Sequence, residues 1–288
     1  MERRPYLLRK MWLLLLPLFL LIISAGCTEG GDDDQGASDD LDIDDDADDD
    51  SDSLPWQCSP ENYAIQVVEC ALAENGGFGE EYLPDNITGP PSGRGGFAPQ
   101  SSPRELLSLG DGGYVVLKLG RKVVDGEGPD LVVFENPFYC SDDGDCLFTE
   151  VAVVEVSQDG ELWHRFPFDY EPTGDEPWTN PNSYTGLAGI NPVYATCSAD
   201  DFIDPLDPEV SGGDLFDLAD VGLKWAAYVR IVDAGNDETN PGSQIADGDG
   251  DLLDDAGNHG FSSPPTAGFD LDAVGIINGG ERLEPDGM

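Results

Sequence analysis

The chain has 288 residues, with 59 Asp and Glu against 13 Lys and Arg, so its formal net charge at pH 7 is −46. Nucleic acids and anionic lipid head groups carry charge of the same sign and are repelled, which excludes nucleic acid as an expected partner. The many glycines (36) and prolines (22) favour a fold rich in turns.

The N-terminus has the pattern of an export signal. Four basic residues within the first ten precede an uncharged apolar run over 11–23. Thirteen helical residues span about 20 Å, whereas the hydrocarbon core of a bilayer is roughly 30 Å thick. A permanent transmembrane helix is therefore a poor interpretation of this run.

The apolar run ends in Ser24-Ala25-Gly26-Cys27. This segment resembles the lipobox of bacterial lipoproteins, except that Ser24 stands where leucine is usual. A lipoprotein signal is the favoured interpretation, and an ordinary cleaved signal or an uncleaved anchor are the alternatives. The resemblance implies cleavage after residue 26 and acylation of Cys27, and more than one acyl chain is what stable membrane anchoring requires. Thr28, in place of Asp, favours the outer membrane over the inner one. We expect a signal peptide over 1–26 and a protein anchored to the outer membrane and exposed at the cell surface.

An acidic tether over 27–53 follows the lipidated cysteine. It holds thirteen Asp and one Glu and no Lys or Arg. A segment with so few apolar side chains cannot offset the entropy of ordering, and its charges repel one another, so we expect a disordered spacer. Removing the leader (net +3) and the tether (net −14) from −46 leaves −35 for residues 54–288, enough chain for one large domain.

Five cysteines lie in this domain, and in an exported protein their default role is disulfide formation. Cys140 and Cys146 flank a short acidic loop and predict a local bridge. Pairing of Cys58 with Cys70 would fix the entry to the domain and would leave Cys197 unpaired, but other pairings of five cysteines remain open.

The domain has the pattern of an all-β protein. Short apolar segments bounded by Gly, Pro and Asp predict an antiparallel β-sandwich of jelly-roll type. Only short helices are expected, over 61–72 and 104–109. Two long loops, over 167–214 and 233–268, are the expected binding regions. Strands are predicted over 114–119, 130–135, 151–157, 161–166, 225–232 and 269–277.

Several segments in order resemble a group of bacterial cell-surface proteins. They are Leu107-Ser-Leu-Gly-Asp-Gly-Gly-Tyr, Gly126-Glu-Gly-Pro-Asp-Leu-Val-Val-Phe-Glu-Asn, Val153-Val-Glu-Val-Ser-Gln-Asp-Gly and Gly268-Phe-Asp-Leu-Asp-Ala-Val-Gly. The resemblance covers roughly residues 95–278. It implies a jelly-roll domain similar to carbohydrate-binding modules and a role in surface binding or adhesion, with carbohydrate or another surface protein as partner.

Two acidic sets are candidate Ca²⁺ sites, since Ca²⁺ takes six to eight hard oxygen ligands. The first is a Gly-rich loop that departs from the EF-hand at Leu252 and Asn258. The second lies in two similar segments near the strand ends, where alternation places carboxylates on one face. Solvated acidic surface is the alternative for both sets. The first set is Asp247, Asp249, Asp251, Asp254 and Asp255, and the second is Asp217, Asp220, Asp270 and Asp272. Asp130, Glu135 and Asp233 beside strand ends are weaker candidates, for which capping is the better interpretation.

A sugar site needs aromatic rings that stack on pyranose faces. The candidates are Trp163, Tyr170, Trp178, Tyr184 and Tyr194, with core packing as the alternative. No nucleophile elbow, P-loop or zinc-protease helix motif occurs, so we expect no enzyme activity, with a two-carboxylate glycoside hydrolase as the remaining enzyme reading. The predicted function is a Ca²⁺-stabilised surface binding module. A small-molecule capture lipoprotein that serves an outer-membrane transporter is the alternative and would need a deep apolar pocket.

Overall fold

The computed structural model of the chain describes residues 55–142, 144, 146–260 and 263–286. The chain divides into two units between Asp49 and Asp50, and every described residue belongs to the second unit. The predicted signal peptide, Cys27 and the acidic tether lie outside the described residues. Within the described ranges, no helix is long and apolar enough to cross a bilayer.

Strands make up the regular structure of the described residues, and the helical segments among them are all short 3-10 helices. In chain order the strands are β1 (Ala64–Ala71), β2 (Leu107–Ser108), β3 (Tyr114–Val124), β4 (Leu131–Phe134), β5 (Phe138–Tyr139), β6 (Leu147–Phe148), β7 (Ala152–Ser157), β8 (Trp163–Arg165), β9 (Asp169–Tyr170), β10 (Tyr184–Thr185), β11 (Asp214–Phe216), β12 (Trp225–Asp233), β13 (Asp270–Leu271), β14 (Ala273–Ile276) and β15 (Gly279–Arg282). The 3-10 helices are Trp56–Cys58, Pro60–Asn62, Glu80–Tyr82, Pro177–Thr179, Pro181–Ser183, Leu218–Val221 and Ala256–His259.

Two antiparallel sheets face each other across the main core. The larger sheet has the order β1-β3-β12-β7-β8, with β15 also paired to β3, and the smaller has the order β11-β4-β14. Their buried side chains belong to one apolar cluster, to which β3 contributes Leu117, β12 contributes Ile231, β4 contributes Val133 and β14 contributes Val274. Because both sheets bury one face in the same cluster, the predicted antiparallel β-sandwich is confirmed.

Alternation along the strands explains which side chains fill this core. In β12, Val229 and Ile231 are buried, whereas Tyr228 and Arg230, which alternate with them, are only half-buried. The β7–β8 hairpin also forms as predicted, with Asp159 at its turn accepting hydrogen bonds from the amides of Glu161 and Leu162, both at 2.9 Å. Local turn chemistry and period-2 burial therefore fix much of the larger sheet.

The expected short helices are wrong. Residues 64–71 form β1, an edge strand paired with β3, and residues 107–108 form β2, paired with β13. The β-branched side chains Ile65, Val67 and Val68 fit a pleated strand better than a helix, which is the physical reason for the difference.

The cysteine pairing differs in part from the expectation. Cys140 bonds to Cys146 as predicted, with 5.2 Å between their Cα atoms. Cys58, however, bonds to Cys197, with a Cα–Cα distance of 5.9 Å, and Cys70 is free. The proposed Cys58–Cys70 pairing is therefore wrong, because β1 runs extended between them and carries Cys70 about 20 Å along the sheet from Ala64. Burial raises the pKa of the Cys70 thiol to about 11.

Candidate functional sites

The Asp247 loop is closed by its own backbone. One Asp247 oxygen accepts hydrogen bonds from the amides of Asp249 (3.0 Å), Gly250 (2.9 Å) and Asp251 (2.9 Å), and the other accepts from the amide of Tyr170 at 3.1 Å. These hydrogen bonds lower the pKa of the Asp247 carboxyl, against the effect of desolvation. The carboxylate that the sequence nominates first as a cation ligand is thus occupied in shaping the turn and in fixing β9.

The other carboxylates of this set do not converge with Asp247. Asp249 and Asp251 are exposed, and Asp254 contacts the His259 ring nitrogen at 2.9 Å. Asp255 is buried and accepts the amide hydrogen bond of Val151 at 3.0 Å. The alternation of Asp and Gly here builds a hydrogen-bonded loop, and its carboxylates point to separate partners.

The carboxylates of the second predicted Ca²⁺ set do not all lie together either. Asp217 caps a 3-10 helix by accepting from the amide of Ala219 at 2.8 Å, and Asp220 is exposed. Asp272 is buried and accepts from the amide of Ser92. Asp270 lies beside two other carboxylates, those of Glu135 and Glu150. Oxygens of Asp217, Asp125 and Asp130 do lie within 4.8 Å of one another, but Asp125 already pairs with Lys224.

Buried aspartates join loops to strands throughout the domain. Asp130 accepts from the amides of Gly126 and Leu218, and Asp233 accepts from those of Gly112, Gly235 and Phe269. Burial is the main reason that the pKa of Asp233 is raised to about 7 and that of Asp255 to about 8. The weak candidates Asp130 and Asp233 therefore have the capping role that was the better interpretation of their sequence positions.

Three acidic side chains form a buried centre with a different character. Glu135 follows β4, Glu150 precedes β7 and Asp270 begins β13, and one oxygen of each lies within 4.8 Å of the others. Their exposed fractions are 2%, 4% and 9%. Burial raises the pKa of Asp270 to about 6, and burial together with the charge of Asp270 raises the pKa values of Glu135 and Glu150 well above the ordinary range. Sequence reasoning missed Glu150 because nothing in its local pattern marks it.

Four of the five predicted aromatic ligands have other roles. Tyr170 and Tyr184 are buried and stack on each other, with ring centroids 5.3 Å apart, in a small apolar cluster. Trp163 lies under the guanidinium of Arg230, and Trp178 stacks on His259 with 4.6 Å between their centroids. The core-packing interpretation thus holds for the two tyrosines.

Tyr194 is the exposed candidate on an open groove, to whose lining the buried Tyr184 also contributes. The side chain is 40% exposed and lies on the wall of a cavity of about 500 Å³. Other walls are formed by Tyr139, Asn191 and Glu209, and by the exposed apolar side chains of Val210 and Leu215. We call this cavity the Tyr139–Tyr194 groove. Its volume is in the range of sites for small ligands.

The two tyrosines of the groove contact each other. Burial and the hydroxyl contact with Tyr139 raise the pKa of Tyr194. Phe97, which is 64% exposed, packs against Tyr139 with 5.3 Å between ring centroids. A Cβ atom on Gly96 would lie 2.5 Å from the Tyr139 ring, so glycine is needed there for the ring to approach. Three aromatic rings therefore form one partly exposed surface.

The backbone holds Tyr194 on both sides. Its amide donates to the carbonyl of Ser211 at 3.0 Å, and the amide of Gly95 donates to the carbonyl of Val193 at 2.8 Å. Val193 and Ala195 are buried in a small cluster with Phe134, so alternation places the Tyr194 side chain outward. Both disulfides are adjacent in sequence to the groove, since Cys140 follows Tyr139 directly and Cys197 lies three residues after Tyr194.

A second cavity, of about 620 Å³, lies beside Asp111 and has a lining of mixed polar and apolar character. Amide and acidic side chains form most of its walls, including Asn75, Asn236, Asn240 and Glu238. The side-chain amide of Asn240 donates to the backbone carbonyl of Asp111 at 2.8 Å, and the Thr239 hydroxyl contacts the Asp111 carboxylate.

Comparison with known proteins gives no relative. No model of a protein family matches the chain, and no curated protein sequence matches it either.

Proposed function

We propose that the protein is a lipid-anchored binding module of the cell surface and that it binds carbohydrate in the Tyr139–Tyr194 groove. The observation that carries the proposal is the groove itself, where aromatic rings are exposed on a rigid β-sandwich. The N-terminal resemblance to lipoproteins and the resemblance of residues 95–278 to surface proteins support the location and the general role.

The groove has the two kinds of group that sugar recognition requires. The faces of Tyr194 in the groove, and of Phe97 which packs on Tyr139 beside it, are apolar and flat, and a pyranose ring presents C–H groups that pack on such faces. The exposed Glu209 carboxylate and the Asn191 side chain supply polar groups for hydroxyls. Because aromatic side chains lose little entropy on binding, a few rigid rings suffice for a specific site.

Charge narrows the class of glycan. The domain carries a net charge of −35 and the groove contains Glu209, so sulfated or uronate-rich polymers are repelled. The expected ligand is a neutral polysaccharide or oligosaccharide.

The test is binding of the full-length protein in detergent to a panel of neutral and acidic glycans. We expect a subset of neutral glycans to bind and Tyr194→Ala to weaken that binding at least tenfold. Trp163→Ala is the matched control, because this ring also lies near the surface but under Arg230 and away from the groove. Equal effects of the two variants, or binding of acidic glycans alone, would contradict the proposal, and release of reducing ends from a bound glycan would replace it with a hydrolase.

A further inference from the structure

The buried centre of Glu135, Glu150 and Asp270 joins parts of the domain that are distant in sequence. Glu135 continues from β4 of the smaller sheet, Glu150 leads into β7 of the larger sheet, and Asp270 starts β13, which pairs with β2. A ligand bound by all three would connect the ends of both sheets.

The centre differs from other buried acids in its lack of a cation. Glu155 is 5% exposed and lies between Arg165 and Arg230, with which it forms two ion pairs. Among the described residues, no Lys, Arg or His forms an ion pair with Glu135, Glu150 or Asp270. Since unpaired buried charge is costly, three carboxylates in contact need either protons or a positive ion.

Hydrogen bonds reach all three carboxylates but leave one oxygen of Glu135 without a donor. One oxygen of Asp270 contacts the Ser108 hydroxyl, and the other accepts a hydrogen bond from the side-chain amide of Asn136 at 3.2 Å. Glu150 accepts from the amide of Gly268 at 3.2 Å. The Oε2 atom of Glu135 is fully buried and has no hydrogen-bond partner. An orphan acceptor on one of three clustered carboxylates is evidence, independent of their spacing, that the centre holds a ligand.

We propose that Glu135, Glu150 and Asp270 bind one Ca²⁺ ion. Two oxygens on opposite sides of Ca²⁺ lie about 4.8 Å apart when each bond is about 2.4 Å, so the observed oxygen spacing is compatible with a shared ion. The ligands are all oxygens, and Ca²⁺ accepts the irregular arrangement that three separate loops provide. Mg²⁺ requires an octahedron and retains several waters, for which a centre with exposed fractions of 9% or less has little space.

Arg94 is the alternative source of positive charge. It lines a small cavity, of about 10 Å³, to which Glu135 also contributes, but Arg94 is exposed and makes no ion pair with Glu135. If Arg94 neutralised the centre, Arg94→Ala would lower the melting temperature of the metal-free protein. If Ca²⁺ neutralises the centre, the melting temperature of Arg94→Ala in EDTA should be close to that of the wild type, and Arg94→Ala should bind Ca²⁺ as the wild type does.

The test uses full-length protein in detergent, freed of metal with EDTA and then titrated with Ca²⁺ and, separately, with Mg²⁺. Calorimetry and thermal unfolding are the readouts. We expect one tight Ca²⁺ per chain, clearly separated from weak binding by the acidic N-terminal segment, and a rise in melting temperature that Mg²⁺ does not reproduce. No Ca²⁺-specific rise, or an equal rise with Mg²⁺, would overturn the proposal.

Conservative variants separate a ligand from a structural residue. Glu135→Gln and Asp270→Asn should each lower Ca²⁺ affinity at least tenfold, while the melting temperature of Glu135→Gln in EDTA is equal to or above that of the wild type. Glu155→Gln is the matched control, since it breaks two ion pairs and should lower the melting temperature in EDTA without changing Ca²⁺ affinity. Asp247→Asn should also leave the tight site intact. Unchanged Ca²⁺ binding in both Glu135→Gln and Asp270→Asn would refute the assignment, and glycan binding is measured separately.

Discussion

Cys58 is bonded to Cys197 across 139 residues of chain, so the first turn of the domain is covalently joined to the segment that carries Tyr194. The second disulfide starts immediately after Tyr139. The Tyr139–Tyr194 groove is therefore bordered by both covalent links of the described domain.

The long disulfide should contribute strongly to stability. Closing a loop of this length restricts the unfolded chain, and the chain-entropy treatment gives up to about 5 kcal/mol. Replacing Cys58 and Cys197 together by Ser should lower the free energy of unfolding by roughly 2–5 kcal/mol. Urea unfolding of the full-length protein under oxidising conditions measures the change.

Cys70→Ser is the control for that experiment. Its thiol is free, and the substitution should shift stability far less than loss of the disulfide. If the Cys58/Cys197 double variant were as stable as the wild type while Cys70→Ser lost stability, the pairing in the structure would be wrong.

Sequence reasoning identified the sandwich and the β7–β8 hairpin because both depend on local signals, such as alternation in β12 and the Asp159-Gly160 turn. It failed where long-range pairing decides. Residues 64–71 are a strand because β3 lies beside them, and Glu150 meets Asp270 only in the folded chain. The role of Asp247 as a Ca²⁺ ligand stays a prediction, because a run of Asp and Gly forms a hydrogen-bonded loop as readily as it forms an ion site.

The same limit applies to the groove. Tyr194 was a candidate in the sequence, but Tyr139 and Phe97 were not. The adjacent Gly95-Gly96 pair and the cysteine after Tyr139 are local hints that the rings approach closely and are held in place. The folded structure is needed to bring segments 93–97, 139 and 190–215 to one surface.

The proposed lipid anchoring depends on Cys27, which lies outside the described ranges. Cys27→Ser should abolish acylation, so that the protein partitions into the aqueous phase and not into detergent. Mass spectrometry of the mature N-terminus measures the acyl chains directly. A wild-type protein that retains residues 1–26, or that is cleaved at another site without lipid, would contradict the lipoprotein proposal.

Asp214 makes stability depend on pH at the groove. Its carboxylate accepts from the amides of Gly189 (2.7 Å) and Ile190 (3.1 Å) and from the side chain of Asn191 (2.8 Å), yet burial raises its pKa to about 6. Because the folded pKa lies above the unfolded one, the native state favours the protonated form. The associated stability is present below about pH 4 and is lost as pH rises through about 6.

Asp214→Asn removes this titration, and an amide oxygen preserves the contacts to the two backbone amides while Asn191 reorients. Measured in EDTA, the wild type should lose stability relative to Asp214→Asn by roughly 2 kcal/mol between pH 4 and pH 7. Leu215 lies on the same strand and is exposed, and neither it nor threonine is ionisable. The free energy of unfolding of Leu215→Thr should therefore differ from that of the wild type by the same amount at every pH. A pH-independent difference for Asp214→Asn would show that the carboxyl does not titrate in this range.

Gly212 positions Tyr194 through close backbone contact. Its φ is +69°, and an added Cβ atom would lie 2.0 Å from the carbonyl oxygen of Pro192 and 3.0 Å from Cδ2 of Tyr194. Gly212→Ala should therefore displace the ring and weaken glycan binding at least tenfold, in addition to a loss of stability. Unfolding followed by intrinsic fluorescence measures the loss of stability, and the glycan titration measures the loss of binding.

Gly128 provides a control with the same backbone constraint and no clash. Its φ is +77°, and an added Cβ atom would have no neighbour within 4 Å. Gly128→Ala should cost about 1–2 kcal/mol of stability from the left-handed conformation alone, with unchanged glycan binding. Since both variants share the left-handed backbone constraint, a loss of binding in Gly212→Ala alone places its cause in the contacts of Gly212 with Pro192 and Tyr194. Equal binding in the two variants would remove this ring from the site.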